Sequence, residues 1–364
     1  MSPPSNEPAP PLGESTEPAA PASARGPLRL VFYAWFFGAI WMYLTSGAPL
    51  TQYAKGLRLG GFEFGLLAAL PYLGALAQFP GSFLIERYGR RKAVFLGFGI
   101  AQRLVWGLIA LIPWALPDRA WPAALLILVT LSAASGHLAS PAFVSWMADL
   151  VPYRLRGRYF SRRSQLGQAV GIVVTLVIGY LLDRAQLVDR ATLLRTISIA
   201  FAAGAVVGAV DYVCFVPVPA REHRSPDRRL SLAAVLRQPL ANRSFRRFLG
   251  FNATLTFGIG YIGQFIWLYL LDVVGMDNMQ ANLMLVVVPG VVTMTCYPLW
   301  GRLVDRLGRR PVLIIACLLI VHGALAWIFV RKDNWWLGYL AALLATAAWP
   351  GIEVASFNLI LGMI

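Results

Sequence analysis

The sequence predicts an all-α polytopic membrane protein, and three observations carry that prediction. Hydrophobic residues make up 58% of the 364 and charged residues only 13%, with a mean hydropathy of +0.62, far outside soluble globular usage. From Leu28 onward apolar runs follow one another, each of roughly 20 residues or more and so long enough to cross a bilayer. The basic residues stand in alternate connections between those runs. Backbone groups in hydrocarbon need partners within their own segment, so spans of this length are helices. Barrel strands would be about half as long and would alternate in polarity.

Residues 1–27 hold eight prolines and three glutamates without apolar periodicity, which reads as a disordered cytosolic tail. They lack the basic start and apolar core of a secretory signal. Ten helices are expected, at 29–50, 62–86, 93–116, 121–150, 164–183, 192–217, 246–272, 279–303, 311–330 and 335–361. The first six form one half, 28–217. A central loop, 218–245, reads as a linker followed by a short amphipathic helix over 230–237. The second half, 246–364, has four helices, two fewer than the first. Apolar content runs to Ile364 with no polar tail, which predicts that a longer chain continues past it.

A net charge of +15 suggests nucleic acid as a partner, but the positions of the charges exclude it. The connections 2–3, 4–5, 6–7 and 8–9 hold the surplus of Arg and Lys, while the odd-numbered connections nearly cancel. By the positive-inside rule the amino terminus and the even-to-odd loops face the cytoplasm of a plasma (inner) membrane. Cys214, Cys296 and Cys317 lie within apolar runs and read as buried small hydrophobes rather than a disulfide framework.

Two basic turns organise the chain. One is Gly81-Ser-Phe-Leu-Ile-Glu-Arg-Tyr-Gly-Arg-Arg-Lys92, the other Gly301-Arg-Leu-Val-Asp-Arg-Leu-Gly-Arg-Arg-Pro311. A loop of one chemistry, once in each half, points to duplicated halves. Together they resemble the loop between helices 2 and 3 of the major facilitator superfamily and its counterpart between helices 8 and 9. The second copy matches the family pattern fully. In the first, Glu86 replaces Asp, and the leading Gly falls one place early. The resemblance implies two pseudo-symmetric six-helix halves and a conformational latch at the loops. Glu86, Arg87, Gly89, Arg90 and Arg91 would form the first latch, and Asp305, Arg306, Gly308, Arg309 and Arg310 the second. The usual partner of the first copy lies on an eleventh helix. Asp149, followed by Arg156-Gly157, is similar to the family's loop between helices 4 and 5, and would tie the end of helix 4 to Arg156 or to a latch arginine.

Ionisable residues inside hydrocarbon are costly and mark functional sites by default. Arg195 and Asp211 stand near opposite ends of helix 6, where snorkelling or pairing with loop charges accounts for them. Arg103, near the middle of helix 3, is expected to reach carbonyls or a carboxylate, or to serve the solute. The resemblance places helices 1, 4, 7 and 10 around a central cavity. Glu353, in Trp349-Pro350-Gly351-Ile352-Glu353, would sit buried there on a helix loosened by Pro and Gly, as a proton site, a counter-ion or a structural partner of Arg103. His137 shares a face with Ser140 and is a second candidate. His322 reads as packing. Asn252, Tyr261 and Gln264 on helix 7 suit an organic solute, although aromatic residues near helix ends also form interface belts.

No phosphate-cradling loop, His-Glu-x-x-His or paired Cys-x-x-Cys is present, so neither ATP-driven transport nor a cofactor- or metal-dependent enzyme is indicated. Helix 5 lacks the Gly-Pro-x-x-Gly-Gly run of drug–proton antiporters. Its Gly167 and Gly171 instead make a small-residue face for close packing. The Pro-Glu-Ser-Pro-Arg segment of sugar porters is missing too. The reading is a secondary transporter moving a small organic solute by alternating access, with protons as the expected coupling ion. Drug or metabolite efflux and nutrient uptake both remain open, as does a non-transporting sensor or scaffold on the same fold. Solute identity and oligomeric state are not encoded in any motif.

Overall fold

A computed structural model of the chain describes residues 22–152, 156–220 and 240–361. Ten helical spans, α1 to α10, are long and apolar enough to cross a membrane: Gly26–Gly56, Gly61–Tyr88, Arg91–Ala115, Asp118–Leu150, Arg162–Gln186, Arg190–Val213, Arg243–Val274, Asn278–Leu307, Arg309–Phe329 and Leu337–Ser356. The number and order match the sequence expectation. Several boundaries do not. The first helix starts at Ala22, inside the expected tail, breaks after Leu44 and resumes over Ala48–Gly56. Gly47, at φ 63, supplies the left-handed residue for that break. The fifth helix runs from Arg156 to Gln186, longer than expected. The amphipathic helix expected at 230–237 lies outside the described residues.

Local chemistry fixes the ends. Asp189 caps α6 by accepting from the Thr192 amide at 2.6 Å, and Asn242 caps α7 from Ser244 and Phe245 at 2.9 and 3.3 Å. The repeated Gly of each basic turn has a backbone reason: Gly89 and Gly308 sit at φ 66 and 84, where a side chain is strained. Two segments are π-helical, Tyr269–Val274 at the end of α7 and Leu283–Val287 early in α8.

Burial varies from span to span in both halves. α6 lies against both α1 and α3, and half of its most apolar stretch is buried, as is 44% of that of α3 and 39% of that of α10. The corresponding shares for α2, α8 and α9 are 17% each, and for α7 14%. In the second half a cavity of about 700 Å³ opens among α7 (Thr254, Gly258), α8 (Thr293), α9 (Ile320, Ala324) and α10 (Thr346, Trp349). In the first half the matching space between α1 and α3 is filled by α6, whose Gly208 rests on Arg103 and Trp41.

Candidate functional site

Connections alternate between the two ends of the bundle, so the basic turns share one end, termed the basic end. Contacts between the halves gather at the other, the far end. There the Ala48–Gly56 segment of α1 and the Gly61–Gly74 segment of α2 meet α7, and α5 meets the start of α8. The Gln78–Tyr88 segment of α2, at the basic end, packs on α3 and α4 of its own half.

The far-end junction is polar. Asp183 of α5 accepts from the Asn278 backbone amide at 2.7 Å, the Asn278 side-chain amide at 2.7 Å and the Met279 backbone amide at 3.0 Å. Gln52 of α1 donates to Asn278 Oδ1 at 2.8 Å, and Asn278 donates to Gln186 at 3.1 Å. One turn further in, Asn282 donates to the Thr175 carbonyl at 2.9 Å. Gln52, Asn278 and Asn282 are almost fully buried, so every bond replaces a lost water contact. A more exposed ion pair, Lys55 with Asp272, flanks them. Among the described residues these are groups the sequence reading missed. Asn278 and Asn282 stand one helical turn apart at the start of α8, which is the one signal that marked them.

At mid-depth three helices converge. The Tyr43 hydroxyl of α1 donates to Gln168 Oε1 of α5 at 3.3 Å, and Gly290 of α8 faces the same amide. A Cβ at Gly290 would lie 2.1 Å from Gln168 Nε2, so a side chain there would displace the Gln168 amide. Gly290 is about 18 Å along α8 from Asn278 at 1.5 Å per residue, beyond the midpoint of a ~30 Å hydrocarbon core. An amide and a phenol thus stand between the halves on the basic side of the far-end junction. Gly167 and Gly171, the expected packing face of α5, lie against Trp35 and Tyr43 of α1.

A family model described as the Major Facilitator Superfamily matches residues 30–364. The chain belongs to the major facilitator superfamily. This is a family of transporters rather than enzymes, and with ten apolar helices among the described residues the chain is a multi-pass integral membrane protein. A mouse (Mus musculus) relative, solute carrier family 2, facilitated glucose transporter member 10, is 28% identical over 299 residues, covering 76% of this chain and 52% of the relative. The chain therefore spans about half of that protein's length. Among solved structures, a single-site mutant of the nucleoside transporter NupG aligns with TM-score 0.66 at 13% identity, covering 90% of this chain and 81% of that one. A D-xylose–proton symporter aligns at 0.59 and 19%, over 90% and 80%. A bacterial homologue of the human lysosomal transporter Spinster, inward-facing and unoccupied, aligns at 0.61 and 16%, over 94% and 76%. At these identities the structural matches establish the fold.

Against the major facilitator fold, the expected site residues fall into separate groups. Glu86, Arg87 and Arg90 are exposed, and so are Asp305, Arg306, Gly308, Arg309 and Arg310. Arg87 stacks near Phe83 and Tyr88. Arg91 departs from them: it is buried, donates to the Ser145 carbonyl and hydroxyl at 3.1 and 2.9 Å, and pairs with Asp149 at 2.7 Å. Lys92 donates to the Val216 and Val218 carbonyls just beyond the end of α6. Both residues fasten the first turn to its own half. The side chain of Arg156 lies outside the described residues, as do those of Tyr261 and Gln264. Asn252 is half-buried on α7.

Glu353 corrects an expectation. Its carboxylate is exposed rather than buried, and it accepts from Trp349 Nε1 at 2.8 Å and from the Tyr297 hydroxyl of α8. The helix carrying it is continuous α-helix through Pro350 and Gly351, from Leu337 to Leu361, and so is not loosened there. The close neighbour of Gly351 is the Trp300 ring, and Trp300 Nε1 donates to the Ala347 carbonyl at 2.6 Å. His137 accepts at Nδ1 from Gln78 at 2.9 Å, and His322 donates to the Leu318 carbonyl at 2.7 Å.

Arg103 is buried and its carboxylate is Asp211, at 3.3 Å, so Asp211 pairs within the membrane rather than with loop charges. The guanidinium lies 3.4 Å over the Trp41 ring and 5.0 Å from that of Tyr212. Gln102 joins the cluster, 3.4 Å from Arg103 and 3.5 Å from the Tyr212 hydroxyl. Arg163 of α5 stacks over Trp35 at 4.3 Å nearby. The cluster lies inside the first half, so it is a structural centre of that half rather than a lining of the space between halves.

Proposed function

We propose that the chain is a secondary transporter working by alternating access, held here closed at the far end and open toward the basic end. The supporting observation is the position of the Tyr43–Gln168 pair. It stands at mid-depth between the halves, with the Asp183–Asn278 junction sealing one side of it. The amino terminus and basic turns face the cytoplasm in this reading, because alternate connections hold the surplus Arg and Lys. This form is then inward-open.

The solute is a small, neutral, hydroxylated molecule. An amide beside a phenol offers donors and acceptors without charge, as hydroxyl groups require. The similar proteins named above, transporters of glucose, nucleosides and D-xylose with protons, support the same reading. Latch roles for the exposed basic turns, and proton coupling through Glu353 or His137, belong to the same reading.

Uptake of radiolabelled D-xylose and uridine into proteoliposomes tests it. Wild type is expected to accumulate one of them under an inward pH gradient, and Gln168→Ala to lose that uptake. Equal uptake by wild type and Gln168→Ala would remove the mid-depth site. Gradient-driven accumulation unchanged in Glu353→Gln and His137→Ala would remove those two as coupling groups.

A further inference from the structure

The far-end junction is carried by a segment whose backbone is irregular on both sides. Tyr269–Val274 is π-helical, a turn with Gly275 at φ 80 follows, then the single α-turn Asn278–Asn282, then a second π-helical stretch, Leu283–Val287. A π segment widens the backbone ladder, and sharp bends in helices concentrate at such places. Among the described residues, the two π segments flank the part of the α7–α8 connection that the first half holds by backbone amides, while Lys55 also pairs with Asp272 in the first of them.

The grip centres on one residue. Asp183 takes three N–H groups, two of them backbone amides at the start of the Asn278–Asn282 turn, and all three belong to the second half. A carboxylate receiving N–H groups forms charge-assisted bonds, about twice as strong as neutral ones. Asn282 and Gln52 add neutral amide bonds around it. The residues of the turn do not depend on Asp183 to be helical, because Asp277 caps them independently from the Gln280 amide at 2.6 Å. Losing the grip would therefore free an intact turn rather than unravel it.

Resting on the transporter reading above, we propose that residues 275–282 are a local gate over the far end of the cleft, hinged on the two π-helical segments and pinned shut by Asp183. The gate swings between its hinges while the remaining contacts of the halves stay in place. It adds a step to rocking of whole halves, because the far end opens first at this turn.

The test reads distances and needs no solute. Cys214, Cys296 and Cys317 are first replaced by serine in the full chain. Spin labels are then placed at Phe62 and Gln280 across the far end, and in a second sample at Tyr88 and Leu307 across the basic end, in lipid nanodiscs. In Asp183→Asn the ratio of short to long far-end distances is expected to fall roughly tenfold or more, since three charge-assisted bonds weaken together. The basic-end distribution stays as in wild type. Asn278→Ala, which removes one of the three donors and the Gln52 contact, gives a smaller shift of the same sign and serves if Asp183→Asn does not fold. An unchanged far-end distribution in both variants would overturn the proposal. So would a far-end lengthening matched by basic-end closure, which would mean that only whole halves move. Failure of solute uptake, by contrast, would overturn the transporter reading and leave these distances standing.

Discussion

Arg103 sits 3.3 Å from Asp211 and 3.4 Å above the ring of Trp41, so one guanidinium joins α3 to α6 and to α1. Glycine makes this possible on two sides. A Cβ at Gly38 would lie 2.6 Å from Asp211, and one at Gly208 would lie 2.7 Å from Arg103. A buried pair of this kind is costly to break from one side, because the remaining charge stays in low dielectric.

Arg103→Gln is expected to destabilise the protein by about 3–5 kcal/mol, seen as a lower thermal midpoint in detergent micelles. The double variant Arg103→Leu with Asp211→Leu should recover part of that loss, since neither member of the pair is left alone, while Arg163 of α5 loses a nearby carboxylate. A double variant as unstable as the single would show that the pair contributes through its hydrogen bonds and stacking instead.

Gly99 and Gly107 lie on the same helix and should respond in opposite ways. An added methyl at Gly99 meets the Tyr212 ring at 1.9 Å, whereas at Gly107 the nearest atom is 3.9 Å away. Gly99→Ala should cost about 1–3 kcal/mol from overpacking. Gly107→Ala should be neutral or gain up to about 1 kcal/mol from helix propensity. The same melting experiment separates them.

Asp189, in the connection before α6, holds its carboxyl below the ordinary range, chiefly through the Thr192 backbone amide and then the Thr192 side chain. Its folded value is lower than its unfolded one, so its contribution is complete above the ordinary carboxylate range. It fades as pH falls through the depressed folded value. Asp189→Asn keeps a capping acceptor but cannot titrate, so its stability should fall less steeply with acid than that of wild type. Parallel acid profiles would exclude this cap as a contributor.

Lys55 and Asp272 pair across the halves with side chains 29% and 41% exposed. An exposed pair contributes about 0.2–1 kcal/mol and is screened by salt. Charge reversal at either position should therefore move the thermal midpoint little. The double reversal should restore wild-type behaviour in the far-end distance measurement.

The spans were legible because they depend on local facts: apolar length, basic turns and a glycine in each turn. Arg103 was legible as a buried charge in need of a carboxylate. Its partner was misassigned because Asp211 stands near a helix end, within reach of solvent in one dimension but blocked by α1 and α3 in three. Glu353 departs in the opposite direction: burial was expected beside Pro350 and Gly351 and the carboxylate is exposed, because no sequence pattern reveals which face of a helix lies uncovered. The far-end junction was missed for a different reason: Asp183 ends the helix expected at 164–183 and Asn278 lies between two expected helices, and only their meeting gives them a role.

Arg91 and Lys92 tie the first basic turn to Ser145, to Asp149 and to the backbone just beyond α6. The turn therefore has no freedom of its own. Any displacement of the first half carries it along as freight, and a probe attached there reports the half rather than the loop.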